Sequence, residues 1–155
     1  MEKTCCFTGH RDIPEDRMCD VKKRLADAVE TLISEGYTAF IAGGALGFDT
    51  MAALAVLDAR ERKPEIVLHL VLPCPEQTKM WRADQVLKYR EILERANSHE
   101  YVSQHYTRWC MAQRNRKMVE MSSAVIACYD GSGKGGTAMT VGFAEKKGIR
   151  IINVF

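Results

Sequence analysis

Apolar residues along this chain fall into short runs that alternate with stretches of three- and four-residue periodicity. The continuous run at residues 66–72 is typical of a strand buried on both faces. By contrast, Val21, Leu25, Val29 and Leu32 recur at the spacing that gives a helix one apolar face. Because such strand and helix patterns alternate from one end to the other, the sequence predicts an α/β protein with a parallel, or mostly parallel, sheet covered by helices on both faces.

The boundaries of these elements follow from turn and capping residues. Asp12 is predicted to cap the first helix, with Pro14 in its first turn and Gly36 as its stop. The predicted helices then cover residues 12–35, 47–62, 79–96, 108–121 and 136–147. The predicted strands cover residues 4–8, 38–42, 66–72, 100–102, 124–129 and 149–154. No linker or repeat interrupts the pattern, so we expect one domain over residues 1–155.

Composition narrows the class of protein. A hydrophobic fraction of 46% and a charged fraction of 27% are ordinary for a globular domain, and the longest apolar run is too short to cross a bilayer. Met1 to Thr4 lead directly into strand-like sequence, so we expect no leader peptide and a cytoplasmic protein without membrane contact. The net charge of +2 is too small to indicate a polyanionic partner, which argues against nucleic acid as a partner, and homo-oligomerisation stays open.

The six cysteines do not form a recognisable ligand set. They lack a Cys-x-x-Cys pair, and most of them fall inside apolar segments. Reduced cysteines in such positions behave as small hydrophobic residues. We therefore expect neither a disulfide framework nor a metal, and the sequence indicates no cofactor.

Glycine-rich turns follow three of the predicted strands. In parallel sheets, ligands bind beyond the carboxyl ends of the strands, where loops lead into helix N-termini whose free N–H groups favour anions. Neither a Walker A motif nor the Gly-x-Gly-x-x-Gly spacing is present. The combination nevertheless predicts a site for a phosphorylated, nucleotide-type small molecule. Its predicted residues in these three turns are Gly9, His10, Arg11; Gly43, Gly44, Gly47, Asp49; and Asp130, Gly131, Gly135, Gly136, Thr137.

Arg114 lies on an apolar helix face. Met111, Met118 and Met121 share that face at three- and four-residue spacing, and Asn115 lies beside it. A buried arginine needs a partner. The partner is either a carboxylate (Asp49, Asp130 or Glu145) or a ligand phosphate, unless the side chain reaches water. Arg114 and Asn115 complete the predicted site.

The motifs together resemble the YpsA-like branch of the SLOG superfamily, which unites the Smf/DprA and Lonely-guy proteins. The residues that carry the resemblance span nearly the whole chain: Cys6-Phe7-Thr8-Gly9-His10-Arg11, Gly43-Gly44-Ala45-x-Gly47-x-Asp49, Arg114-Asn115-x-x-Met118-Val119 and Gly135-Gly136-Thr137. The resemblance implies a single SLOG-type, Rossmann-like domain with a pocket for a nucleotide or nucleotide sugar.

Lonely-guy enzymes cleave the N-glycosidic bond of nucleoside 5′-monophosphates and use a glutamate pair after a Pro-Gly-Gly-x-Gly-Thr motif. Arg114 and Gly135-Gly136-Thr137 are similar to parts of that pattern, but Met139 and Thr140 stand where the catalytic glutamate belongs. The resemblance therefore argues against this hydrolysis.

Three functions follow from this pattern. The leading hypothesis is a domain that binds or senses a nucleotide or an ADP-ribose-like molecule. The second is a phosphoribohydrolase that uses Asp49, Asp130 or His10 in place of the missing glutamate. The third is a DprA-like binder of single-stranded nucleic acid that uses basic residues of the fourth helix. The apparent lack of aromatic stacking platforms counts against this third function. The basic residues in question are Arg108, Arg114, Arg116 and Lys117.

Overall fold

The computed structural model describes residues 3–155. Met1 and Glu2, which bear on the expectation of no leader peptide, lie outside this range. Within this range, six strands and five helices alternate, and all strand pairs are parallel. The elements are β1 (Thr4–Gly9), α1 (Glu15–Ser34), β2 (Ala39–Ala42), α2 (Phe48–Arg62), β3 (Val67–Leu72), α3 (Ala83–Arg95), β4 (Ser98–Tyr101), α4 (Cys110–Glu120), β5 (Ala124–Cys128), α5 (Gly135–Lys147) and β6 (Arg150–Asn153). The Rossmann-like α/β prediction is confirmed.

The sheet order is β4-β3-β2-β1-β5-β6, so the chain reverses its direction of winding between β1 and β5. The period-two geometry of the strands sends alternate side chains to opposite faces. Phe7 and Ile126 pack with α1 and α2 on one face, whereas Cys6 and Val125 pack with α4 and α5 on the other. The reversal leaves a crevice at the carboxyl ends of β1 and β5.

Two predicted helix starts are wrong. Asp12 does not cap α1, because Pro14 has the extended backbone of the N-cap position and the helix begins at Glu15. The third helix begins at Ala83 and not at residue 79, because the Pro-containing segment after β3 folds into successive turns closed by Gln77 N–H to Cys74 O and Trp81 N–H to Thr78 O. Gly36, with φ of 96°, follows the end of α1 as predicted.

Two large side chains, those of Trp109 and His69, are not fully buried. Trp109 is 61% exposed. His69 is only half-buried and lies between Ser98 Oγ at 2.6 Å and Glu100 Oε2 at 2.7 Å. Five cysteines are buried and only Cys19 is exposed. Burial raises the pKa of the Cys6 thiol to about 12, as expected for a cysteine that packs as a hydrophobic residue.

No helix between residues 3 and 155 combines the length and the apolar character that a membrane crossing requires. The same residues contain no group of three or more His, Cys, Asp or Glu side chains arranged to hold a metal ion.

Candidate functional site

A cleft of about 340 Å³ opens at the crevice between β1 and β5. The parallel pairing places Gly9 opposite Cys128, so the loop that follows β1 lies next to the loop that follows β5. The His10 N–H donates to Cys128 O across the two loops. Nine residues predicted from the sequence line this cleft: Gly9, His10, Arg11, Asp49, Arg114, Asn115, Gly135, Gly136 and Thr137.

The other predicted residues surround the cleft without lining it. Gly43 and Asp130 support lining residues. The carbonyl oxygen of Gly43 accepts from Arg114, and the Asp130 N–H donates to His10. Gly44 faces Leu72 and Tyr89 behind the cleft wall. Gly131 lies in the turn before α5, and its φ of 81° is a backbone conformation that favours glycine. Lys134, Met111 and Ala45 line the cleft as well but were not among the predicted site residues.

Most glycines of the first two loops are required by packing. A Cβ on Gly9 would overlap the Phe48 ring, and one on Gly47 would overlap the carbonyl oxygen of Arg11. These glycines bring the loops together. Their presence does not itself require a ligand.

Gly136 differs from these glycines. It lies in the first turn of α5 and its backbone lacks a positive φ. The nearest atom to a Cβ at this position would be Asn115 Nδ2, at 3.6 Å. Neither the backbone nor the packing therefore requires glycine here, and a side chain at this position would project toward the cleft that Gly136 lines.

The N-terminus of α5 carries no side-chain cap within the described chain. Lys134 occupies the N-cap position, and the first turn contains no acidic residue. The first N–H groups of a helix lack intrahelical acceptors and carry a partial positive charge. At this end of α5, Gly135, Gly136 and Thr137 face the cleft. This end of the cleft is therefore suited to a phosphate group.

Arg114 is 5% exposed and connects α4 to the second loop. Its Nη1 donates to Gly43 O, and its Nε donates to Asn115 Oδ1 at 2.7 Å. Asp49, whose Oδ2 accepts from the Ala45 N–H at 3.3 Å, supplies the nearby negative charge. Of the partners considered from the sequence, Asp49 is the carboxylate that the fold brings to Arg114. Arg114 also lines the cleft.

The ionisation of this pair reflects its burial. Burial raises the pKa of the Asp49 carboxyl above its ordinary value, while Arg114 and the N–H groups of Ala45 and Gly43 oppose that shift. Burial also lowers the pKa of the Arg114 guanidinium, and the charge of Asp49 opposes this. Arginine nevertheless remains protonated in proteins.

His10 and Asp130 join the first loop to the third. His10 Nε2 accepts a hydrogen bond from the Asp130 N–H at 2.9 Å and lies 3.1 Å from Asp130 Oδ1. Asp130 Oδ1 also accepts from the Ser132 N–H at 2.9 Å. Hydrogen bonds from Ser132 lower the pKa of the Asp130 carboxyl, which therefore stays ionised near neutral pH. Both side chains thus shape the loop that leads into α5.

The charges around the cleft are predominantly positive. Arg11, Arg114 and Lys134 line it together with one carboxylate, Asp49. Arg11 and Lys134 are exposed, so their side chains can reach an anion in the cleft. Converging cations and helix N–H groups at a strand-order reversal favour an anionic ligand.

The fold and the cleft define a Rossmann-like α/β domain with an anion-compatible crevice at its sheet reversal. Residues 7–151 match the family model described as the YspA SLOG family, so the chain belongs to the YpsA family of SLOG proteins. It is 33% identical over 142 residues to the uncharacterized SPbeta prophage-derived protein YoqJ of Bacillus subtilis, covering 83% of this chain and 82% of that protein. It is 24% identical over 129 residues to the B. subtilis UPF0398 protein YpsA, covering 82% and 72%.

Solved structures of DNA processing protein A share the fold. The Helicobacter pylori protein, described by its single-stranded DNA binding mode, aligns with a TM-score of 0.66 at 19% identity over 96% of this chain. The Streptococcus pneumoniae protein aligns with a TM-score of 0.65 at 15% identity over 97%. The chain spans 63% and 49% of these two proteins, respectively.

The expectation that the chain lacks an exposed aromatic platform is wrong. Tyr106 is 64% exposed, and Trp109 is exposed as well, with the Arg108 guanidinium 4.8 Å from the centre of its ring. Both aromatic residues lie in the segment between β4 and α4, which begins at the carboxyl edge of the sheet. This segment has no hydrophobic periodicity that would have marked it in the sequence.

Proposed function

We propose that this chain is a binding domain for a phosphorylated nucleotide or a nucleotide sugar of the ADP-ribose type. The observation that carries the proposal is the uncapped N-terminus of α5, where Gly135 and Gly136 face a cleft that Arg114 and Lys134 also line. The phosphate would accept hydrogen bonds from the first-turn N–H groups, and the cations would balance its charge.

Titration calorimetry with AMP, ADP-ribose and inorganic phosphate tests this proposal. We expect at least one of the two nucleotides to bind more tightly than phosphate alone, because the cleft volume exceeds that of a phosphate group. Lys134→Ala should weaken nucleotide binding roughly fivefold, as expected for the loss of one exposed charge.

Lys146→Ala is the matched control, because Lys146 is an exposed lysine in the last turn of the same helix. It removes the same charge far from the cleft and should leave the affinity unchanged. Equal losses in both variants would indicate a general charge effect, and no binding of either nucleotide would refute the proposal.

Single-stranded nucleic acid is the second candidate ligand. Two observations favour it: the fold likeness to a protein described as binding single-stranded DNA, and the exposed Tyr106 and Trp109 beside Arg108. Stacking on aromatic side chains combined with cationic contacts is the usual mode of such binding. Anisotropy of a labelled oligothymidylate measured over a salt series tests it, because phosphate contacts make affinity fall steeply with salt. An affinity insensitive to salt, or none, would exclude this function.

A further inference from the structure

A second cavity lies next to the cleft in which we propose that the phosphate binds. It measures about 430 Å³ and is lined by Glu76, Gln77, Lys79, Met80, Tyr106 and Met111. Met111, in the first turn of α4, lines both this cavity and the cleft, so the two are adjacent across one side chain. The segments following β3 and β4 form its walls, at the same carboxyl edge of the sheet as the cleft.

We propose that this cavity receives the nucleobase of the ligand whose phosphate occupies the cleft. The inference rests on the proposed function and extends it by assigning the two ends of the ligand. The cleft lies over β1, and the cavity lies over β3 and β4, two or three strand positions away. At roughly 5 Å per strand, that separation is about 10–15 Å, a span suited to a nucleotide or nucleotide sugar lying along the sheet edge.

The apolar surface of the cavity suits a flat group, and its two charged residues, Glu76 and Lys79, are exposed. Tyr106 and Met80, 64% and 91% exposed, present aromatic and thioether surface, to which Met111 adds a second thioether. Any of the bases can stack on an aromatic side chain, because every base has a π-face. Glu76 on the rim repels a phosphate but can accept a hydrogen bond from an exocyclic amino group.

The walls of the cavity are fixed to each other. The Ser103 N–H donates to Pro73 O at 3.1 Å, and His105 Nδ1 lies 3.3 Å from Glu76 Oε1. The segments after β3 and β4 are thus joined at two points. A preformed pocket loses less conformational freedom when it is occupied, which favours binding.

Gln77 offers an amide at the same cavity. Both polar atoms of its side chain are buried, and the Tyr89 hydroxyl lies within reach of them. A turn of this side chain toward the cavity it lines would let a base edge pair with both its donor and its acceptor.

The test compares AMP with ribose 5-phosphate, which has the same phosphate and sugar but no base. Calorimetry of the wild-type chain should show AMP binding at least tenfold more tightly. Tyr106→Ala should weaken AMP binding about tenfold and leave ribose 5-phosphate binding unchanged, whereas Tyr106→Phe should retain AMP binding. Leu87→Ala is the control, because it truncates an exposed apolar side chain of α3 that lines neither the cleft nor the cavity.

The outcomes distinguish a failure of the base pocket from a failure of the phosphate site. Equal affinity for AMP and ribose 5-phosphate would refute the base pocket and leave the phosphate site standing, and so would equal losses of both ligands in Tyr106→Ala. Failure of AMP, ribose 5-phosphate and ADP-ribose to bind would refute the two proposals together. A labelled oligothymidylate that binds much more tightly than AMP, and loses affinity in Tyr106→Ala, would support base recognition and identify a nucleic acid strand as its source.

Discussion

Arg114 Nη1 donates a hydrogen bond to the carbonyl oxygen of Gly43, and this contact joins α4 to the loop that follows β2. A Cβ on Gly43 would lie 2.6 Å from Nη1 and 2.9 Å from Asp49 Oδ2, so only glycine admits this approach. Arg114 therefore contributes both to the fold and to the lining of the cleft. An experiment on its role in binding has to separate these two contributions.

Arg114→Ala should lower the free energy of unfolding by about 1–3 kcal/mol, because it leaves the buried acceptors Gly43 O and Asn115 Oδ1 without their donor. Urea denaturation measures this loss. Arg116→Ala is the control, since Arg116 is exposed on the same helix and its guanidinium rests on the Phe143 ring at 5.0 Å. It should cost less than about 1 kcal/mol. A loss in Arg114→Ala no larger than the control's would show that the hydrogen bonds from Arg114 to Gly43 O and Asn115 Oδ1 do not stabilise the fold.

The sequence predicted the fold because its evidence is periodic. Alternating strand and helix patterns specify a parallel sheet, and the carboxyl ends of parallel strands necessarily share one edge. That logic predicted that Gly9 and Gly136 would meet at one cleft. It could not predict Tyr106, because the segment after β4 has no period and its position depends on contacts such as Ser103 N–H to Pro73 O.

Two local patterns in the sequence did not predict the structural detail, because backbone geometry or tertiary packing determined it. Asp12 has the spacing of a capping residue, but Pro14 takes the N-cap position with φ of −53° and ψ of 137°. The predicted cap therefore lies two residues too early. The sequence likewise indicated that Arg114 is buried but did not identify its partner, because tertiary packing brings Asp49 close to α4.

The stability contribution of Asp49 should depend on pH. The ordinary pKa of the carboxyl is 3.8, and burial raises it in the folded protein. Above that ordinary value, the folded protein keeps a proton that the unfolded chain has released. The resulting stabilisation is complete below about pH 3.8 and is lost as the pH rises through the folded pKa.

Asp49→Asn removes this dependence. The unfolding free energy of the variant minus that of the wild type should therefore rise from about pH 4 upward and level off above the folded pKa. Denaturation curves of both proteins over a pH series measure the difference. A difference that stays constant would show that the carboxyl has the same pKa in the folded and unfolded states.

Gly136→Ala should separate ligand binding from folding. Packing leaves room for the added methyl group, and alanine favours a helix more than glycine does, so stability should be unchanged or increased by up to about 1 kcal/mol. The methyl group would project toward the cleft, so nucleotide affinity should fall about tenfold, in line with the roughly 1–3 kcal/mol cost of an extra methyl group in a filled site.

Gly142→Ala is its matched control. Gly142 is an exposed glycine in the interior of α5 with no atom within 4 Å of a Cβ position. The substitution should stabilise the protein by up to about 1 kcal/mol and leave calorimetric affinity unchanged. If Gly136→Ala also left affinity unchanged, the ligand would not approach the first turn of α5.

The purified protein should bind nucleotides without releasing free base from AMP, GMP, CMP or UMP. Glycosidic cleavage requires a carboxylate that stabilises an oxocarbenium-like centre or activates water. Met139 and Thr140 lie in the second turn of α5, but neither side chain is a carboxylate. Met139 is half-exposed, and Thr140 Oγ1 donates to Gly136 O at 2.9 Å. Asp49 is buried beside Arg114, and Asp130 Oδ1 accepts a hydrogen bond from the Ser132 N–H.

Chromatography after a long incubation measures free base against an enzyme-free control. Asp130→Asn and Asp49→Asn identify the source of any base that appears, since the catalytic carboxylate is the one whose loss abolishes release. Release that survives in both variants would exclude as its source Asp49, the one carboxylate between residues 3 and 155 that lines the cleft, and Asp130, which contacts His10. Release abolished by Asp130→Asn would instead place catalysis on the loop before α5, where His10 Nε2 lies 3.1 Å from the carboxylate and could relay its proton.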